Sequence, residues 1–360
     1  MDKRSKKIIL KEIQSVNNPN SMHGLYPYRG KISAIDAKNI IEQLPTGGTL
    51  LDPFCGSGTI VYEALNHGLD AFGVDNNPLA IRLASAKIES KKSYDDICEK
   101  FINKAKKDLD NKKYEVMNDA PMRSFHKDTA AEIMCLKNYY EEMDNYLKGV
   151  FFGAIALTAR GCNGYKWTSS TVGKNIEPKT YINFFEKFIS KAEKHSKYFL
   201  NSESKNGHII KGDSRKLSTY IKPKSIDYVF TSPPYFDGLD YTAYYGKLIY
   251  EIFGINRVDI KQQLIQSVAS YKDDMTTVLN EIDKVTKENS LIIFVVGDKK
   301  IKNKIINGGE FFNEIKPSSY TVERQYSGSS SQIFDVLNKT ARKEQIVVWE
   351  KHKGEIIKYE

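Results

Sequence analysis

Between Thr49 and Asp75 the sequence alternates in a way that leaves little choice of architecture. Thr49-Leu50-Leu51-Asp52 is a short apolar run, Gly56-Ser57-Gly58 is a turn, Ile60 to Asn66 is amphipathic, and Ala71-Phe72-Gly73-Val74-Asp75 is a second apolar run. Strand, glycine turn, helix and strand make a βαβ unit, which implies a parallel sheet with helices on its faces. Asn77-Pro78 then opens another helix, with proline at an early position and apolar Leu79, Ile81, Leu83 and Ala84 set among basic Arg82 and Lys87. Further strands are predicted at 208–210, 226–231, 291–296, 320–324 and 345–349, the last two as an antiparallel end to a mainly parallel sheet.

Residues 90–207 read differently. Lysine-rich helical stretches at 94–112, 129–147 and 178–199 carry few strand signals, so the segment is an insertion between the second and third strands. The expected organisation is one α/β domain, 1–89 with 208–360, interrupted by a mostly helical lobe, 90–207. Within it, residues 159–175 combine three glycines, two aromatics and Arg160, Lys166 and Lys174, which suits either a nucleic-acid contact or a plain helix connection. Ser327-Gly328-Ser329-Ser330-Ser331 is a low-complexity patch expected to form a mobile loop.

The totals exclude several classes. A chain of 360 residues that is 40% hydrophobic can bury a large core. Its longest apolar run, Val150 to Ala159, is about half the ~20 residues that span a bilayer, and the lysine-rich start has no following apolar stretch of a secretory signal. Cys55, Cys98, Cys135 and Cys162 have no paired spacing, which suits free thiols in the cytoplasm and argues against a zinc site. The net charge of +9 is compatible with a polyanionic partner and equally with a lysine-rich proteome.

The glycine turn points to a ligand. Gly56 and Gly58 allow a tight turn and close passage of a bound molecule. Asp75 ends the next strand 23 residues after Asp52, the position from which a carboxylate meets ribose hydroxyls, and Asp213 ends the third strand, where an adenine amino group could be held. Each aspartate alone suits a helix cap; three at strand ends suit a nucleoside. There is no phosphate-cradling GxxxxGK[ST], and Val61 stands where a dinucleotide fingerprint needs its third glycine.

A second feature is Ser232-Pro233-Pro234-Tyr235, which follows the apolar run Ile226 to Phe230. Two prolines forgo ladder hydrogen bonds at a strand end and stiffen it. An exocyclic base amino group is a poor nucleophile until it pyramidalises, and fixed acceptors such as the Ser232 hydroxyl and the Pro233 carbonyl favour that geometry. Tyr235 offers a flat face to a base taken out of the duplex.

"TSPPY" resembles motif IV of the amino-methylating DNA methyltransferases, in which serine at the first position is typical of the cytosine-N4 branch. "DPFCGSGT" resembles motif I of class I S-adenosylmethionine-dependent methyltransferases, "GVDNNPLA" (73–80) their motif II, and "HGLYPYRGKI" (23–32) the family's motif X. The resemblance implies a Rossmann-like α/β fold with a mainly parallel seven-stranded sheet and S-adenosyl-L-methionine as cofactor. It places Tyr26, Tyr28 and Lys31 of motif X about the methionine end, with Asp52, Pro53, Phe54, Gly56, Ser57, Gly58 and Thr59 of motif I. Asp75 and Asn76 would hold the ribose, and Asp213 with Ser214 the adenine. Ser232, Pro233, Pro234 and Tyr235 would be the catalytic motif.

The implied activity is site-specific methylation of cytosine N4 in DNA, in a restriction-modification or defence system, with a companion endonuclease as a candidate partner. Adenine-N6 and RNA base-amino methylation use the same clamp, and a binder that no longer methylates is a further alternative. The resemblance makes 1–89 with 208–360 the S-adenosylmethionine-binding catalytic domain and 90–207 a candidate target-recognition or DNA-contacting lobe, although the family's recognition insertions follow motif III or the catalytic motifs and the extra segment here precedes motif III. No Pro-Cys pair suits a cytosine-C5 nucleophile. His23 reads as structural, and most tyrosines of 236–254 as an aromatic core stripe, although some could close over the base.

Overall fold

A computed structural model describes residues 21–28, 32–88, 94–159, 180–200, 206–234, 242–243, 245–301, 304–330 and 342–352. Strand β1 (Thr49–Asp52), helix α2 (Thr59–Asn66), preceded by α1 (Ala34–Ile41), and strand β2 (Asp70–Asp75) form the βαβ unit. Helix α3 (Pro78–Ile88) follows, capped by the Asn77 carboxamide oxygen, which accepts from the Leu79 amide at 3.0 Å. Five helices come next: α4 (Tyr94–Asp110), α5 (Asp119–Met122), α6 (Lys127–Lys137), α7 (Asn145–Thr158) and α8 (Phe184–Ser196). The stretch 129–147, expected as one helix, is broken where the Asp144 carboxylate accepts from the Leu147 amide at 2.8 Å and starts α7.

The chain then returns to the sheet with β3 (Gly207–Lys211) and β4 (Ile226–Thr231). After them come α9 (Tyr245–Ile252), α10 (Arg257–Gln263), α11 (Tyr271–Val285) and β5 (Thr286–Gly297). A small hairpin of β6 (Lys299–Ile301) and β7 (Lys304–Ile306), helix α12 (Gly308–Glu314), β8 (Tyr320–Ser330) and β9 (Arg342–Lys351) complete the order.

The seven-stranded sheet runs β3-β2-β1-β4-β5-β9-β8. Strands β1 to β5 pair in parallel, and β9 runs antiparallel to both β5 and β8. This is the class I methyltransferase fold, with the antiparallel end where the sequence placed it. The backbone of Ser327 to Ser330 belongs to β8, paired with Gln345 to Arg342, so a strand stands where a loop was expected. Ladder hydrogen bonds do not depend on side-chain size, and composition missed them.

Both faces of the sheet are buried, which explains the nearly continuous apolar runs. On β5, Ile293 and Val295 enter one core, while Ile292, Phe294 and Val296 enter the other; β9 alternates likewise through Ile346, Val347, Val348 and Trp349. Helix α11 covers the second face with Met275, Val278, Leu279 and Ile282. The inserted helices do not form a separate globule. They share the first core with α2 and α3, because α7 is buried almost all round and brings Val150, Phe151 and Ile155 into it. Among the described residues no helix is long and apolar enough to cross a membrane.

Candidate active site

At the carboxyl ends of β1, β2 and β4 lies a cleft of about 630 Å³, counting its open mouth. Ligands of open α/β sheets bind at this edge, where the strand order reverses. The cleft is lined by Tyr28, Phe54 and Gly56 on one side and by Asp75, Asn76, Asn77, Asp213 and Ser214 on another. Ser232 and Pro234 close a third side, and Gln263, Leu264 and Ile265 complete the wall.

The glycine turn has φ of 48° at Gly56 and 75° at Gly58. A Cβ at Gly56 would approach the Tyr28 ring at 3.4 Å across the cleft, whereas one at Gly58 would strike Ala84 at 2.8 Å. Gly56 thus serves the cleft and Gly58 the packing of α2 on α3. Asp75 fixes the turn from β2: its Oδ2 accepts from the Gly56 amide at 2.9 Å and its Oδ1 from the Asn77 amide at 2.8 Å. Burial raises the Asp75 carboxyl to about 6, although those amide hydrogen bonds pull the other way.

Asp52 sits behind the turn, buried, and is not on the cleft wall. Its Oδ1 accepts from the Thr231 hydroxyl at 2.7 Å and from the Phe54 amide at 3.2 Å. Since Thr231 precedes Ser232, this carboxyl ties the glycine turn to the end of β4. Pro53 contributes through its carbonyl, which accepts from the Ser214 hydroxyl.

Asp213 lines the cleft, but both of its oxygens accept from Arg215, Nε at 3.0 Å and Nη2 at 2.7 Å, while Nη1 of the same guanidinium reaches Asp274 at 2.8 Å. Burial pushes the Asp213 carboxyl up, and hydrogen bonds from Arg215 outweigh it, leaving it below its ordinary value. The expectation that this carboxylate waits for an adenine amino group overlooked an arginine two residues on that reaches back in fork geometry. At the end of β4, the Pro234 carbonyl accepts from the Tyr271 hydroxyl at 2.5 Å, which anchors the proline pair to α11.

The remaining expected positions divide cleanly. Tyr28, Phe54, Asn76 and Ser214 lie on the cleft. Tyr26 is buried in the core and Pro233 between its two lining neighbours. The Ser57 and Thr59 hydroxyls face away from the cleft, accepting from buried Lys87. Lys31, Tyr235, Asp240, Tyr241, Tyr244 and most of the basic 159–175 loop lie outside the described residues. Sequence reasoning missed Gln263, Leu264 and Ile265, at and just beyond the end of α10, where the Gln263 carbonyl accepts from the Asn76 carboxamide at 3.3 Å. An apolar pair after a short amphipathic helix gives no signal of a ligand.

The donor set fits S-adenosylmethionine. Asp75 keeps further lone pairs for hydroxyl donors, and Phe54, Leu264 and Ile265 give apolar surface for a ring.

Residues 36–293 match the family of D12 class N6 adenine-specific DNA methyltransferases. The chain belongs to that family. It is thus an S-adenosylmethionine-dependent, site-specific DNA methyltransferase. Two curated relatives are Type II methyltransferases. M.MvaI of Kocuria varians is 24% identical over 368 residues, covering 91% of this chain and 79% of its own. M.MjaII of Methanocaldococcus jannaschii is 24% identical over 394 residues, covering 78% of this chain and 72% of its own. Comparison with solved structures returns an S-adenosylmethionine-dependent methyltransferase of Methanosarcina mazei, at TM-score 0.35 and 9% identity, covering 86% of this chain and 94% of that one. The rRNA methyltransferase aviRa of Streptomyces viridochromogenes gives TM-score 0.35 at 11% identity, covering 90% of this chain and 87% of that one.

Proposed function

We propose that this D12-family enzyme methylates the exocyclic N4 amino group of cytosine by direct attack, with no covalent enzyme intermediate. The observation that carries the reading is the placement of Ser232 and Pro234 on the wall of the cleft that Asp75 and the glycine turn also line. The cofactor supplies an electrophilic methyl group. Ser232 holds an amino hydrogen, so the nitrogen lone pair is released from the ring toward that methyl group. Pro233 offers its carbonyl as a second acceptor, and Tyr235 stacks on the extruded base. Tyr271 supports the arrangement by engaging the Pro234 carbonyl, which keeps that oxygen from competing for the base.

In the same reading Asp75 and Asn76 hold the ribose, Tyr28 and Gly56 border the methionine end, and Leu264 with Ile265 packs on the adenine. The kinship with Type II methyltransferases supports a place in a restriction-modification system beside an endonuclease. The second reading is adenine N6, favoured by the specificity in the family's description. Nucleoside mass spectrometry of DNA from a methylation-free host separates the two. N4-methylcytosine with the wild type, absent with Ser232→Ala, is the expected result. N6-methyladenine would keep the clamp and overturn the base assignment. In vitro, Ser232→Ala should lower turnover far more than cofactor affinity, because the acceptor acts most strongly in the transition state.

A further inference from the structure

Behind the glycine turn lies a buried polar chain that the reaction itself does not require. Lys87, on α3, is 2% exposed, and its Nζ lies 3.2 Å from Ser57 Oγ, 3.5 Å from Thr59 Oγ1 and 3.3 Å from His23 Nδ1. An ammonium only donates, so Nδ1 of His23 is the acceptor. The ring proton is therefore on Nε2, which donates to Glu63 Oε1 at 2.7 Å. One cation thus holds, through their side chains, two separate pieces of the chain: the turn at residues 57–59 and the segment 21–28.

That segment is clamped elsewhere too. The Lys191 ammonium donates to the Gly24 carbonyl at 3.3 Å, and His195 Nδ1 meets the Ser21 carbonyl at 3.0 Å, both from α8. Helix α7 presses on it where only glycine fits: a Cβ at Gly153 would lie 2.1 Å from the Leu25 carbonyl oxygen. The segment ends in Tyr28, whose ring borders the cleft opposite Gly56.

We infer that Lys87 is a positioning residue for the amino-acid end of the cofactor. It locks the glycine turn to the segment that carries Tyr28, and places a fixed positive charge behind the α2 N-terminus. This inference rests on the proposed orientation of the cofactor, methionine end toward the turn. A buried ammonium is costly to desolvate, so its retention at this junction calls for a return. The return is selective. The cofactor's amino-acid end carries a carboxylate, which gains from a positive helix terminus with a cation behind it, whereas its nucleoside end lies against Asp75 and the α10 wall.

Calorimetric binding of two probes tests this. S-adenosylhomocysteine has the amino-acid end, and 5′-methylthioadenosine has the same nucleoside and sulfur without it. Lys87→Met is the first variant. Ser57→Ala, which removes one acceptor of the same ammonium, is the second and covers the case in which the first does not fold. In a variant with the wild-type circular dichroism spectrum, S-adenosylhomocysteine should bind about tenfold more weakly, while 5′-methylthioadenosine changes by less than about twofold. Equal losses for both probes, or no loss for either, would overturn the role of Lys87. A wild-type chain that binds neither probe would instead sink the reading of the cleft itself.

Discussion

Asp52 closes β1 inside the protein, and its titration can be worked out in advance. Burial raises its carboxyl from 3.8 to about 7; hydrogen bonds from Thr231 and the Phe54 amide lower it, and Asp75 adds a small push upward. Folding therefore favours the protonated acid. The stability it contributes is complete below the unfolded value of 3.8 and is lost as pH rises through the folded value of about 7. Integrating the two titration curves between about pH 5 and about pH 8 gives a loss of roughly 2–3 kcal/mol from this one group. Asparagine retains an oxygen for both donors and does not ionise. Urea unfolding of wild type and Asp52→Asn at the two pH values should therefore show wild type losing roughly 2–3 kcal/mol more than the variant. Asp75 and Glu63, raised mainly by burial to about 6 and about 7, are present in both proteins, so the difference reports Asp52 together with its small charge coupling to Asp75. Stability curves that stay parallel across the range would refute the argument, since the carboxyl would then behave as one in water.

Two further changes probe the scaffold around the cleft. Tyr271→Phe removes the hydroxyl that holds the Pro234 carbonyl and should cost about 1 kcal/mol of stability; single-turnover kinetics should show a slower chemical step with cofactor affinity unchanged. Gly58→Ala puts a methyl group 2.8 Å from Ala84 at φ 75°; it should destabilise by roughly 1–3 kcal/mol in urea, more than Gly68→Ala, where φ is 86° and the space is open.

The sheet was legible in the sequence because its signals are local. Asp52 and Asp75 each end a strand where the apolar runs stop, Asp213 lies two residues past the end of β3 and caps the short turn that follows, and Asn77 caps α3. What those aspartates do was less legible, because it depends on partners far along the chain. Thr231 meets Asp52 across 179 positions, and Asp274 shares Arg215 with Asp213 across 61. The partner of Ser57 and Thr59 was hidden for the same reason: two hydroxyls in a cofactor turn look like ligand donors, and nothing local announces that Lys87 lies beneath them. Leu264 and Ile265 were invisible because apolar side chains look alike whether they face a core or a ring of a ligand.

The reversed strand has a consequence for synthesis. Among the described strands β9 comes last in chain order, yet it sits between β5 and β8. A ribosome that has delivered everything up to residue 341 has released every residue that lines the cleft, while β5 still shows an open row of amides and carbonyls along its outer side. Such an edge is a template for a strand from another molecule. The stretch 342–351 therefore acts as a stopper as well as a strand, and nascent or truncated chains lacking it should associate with one another at an edge that the complete sheet keeps closed.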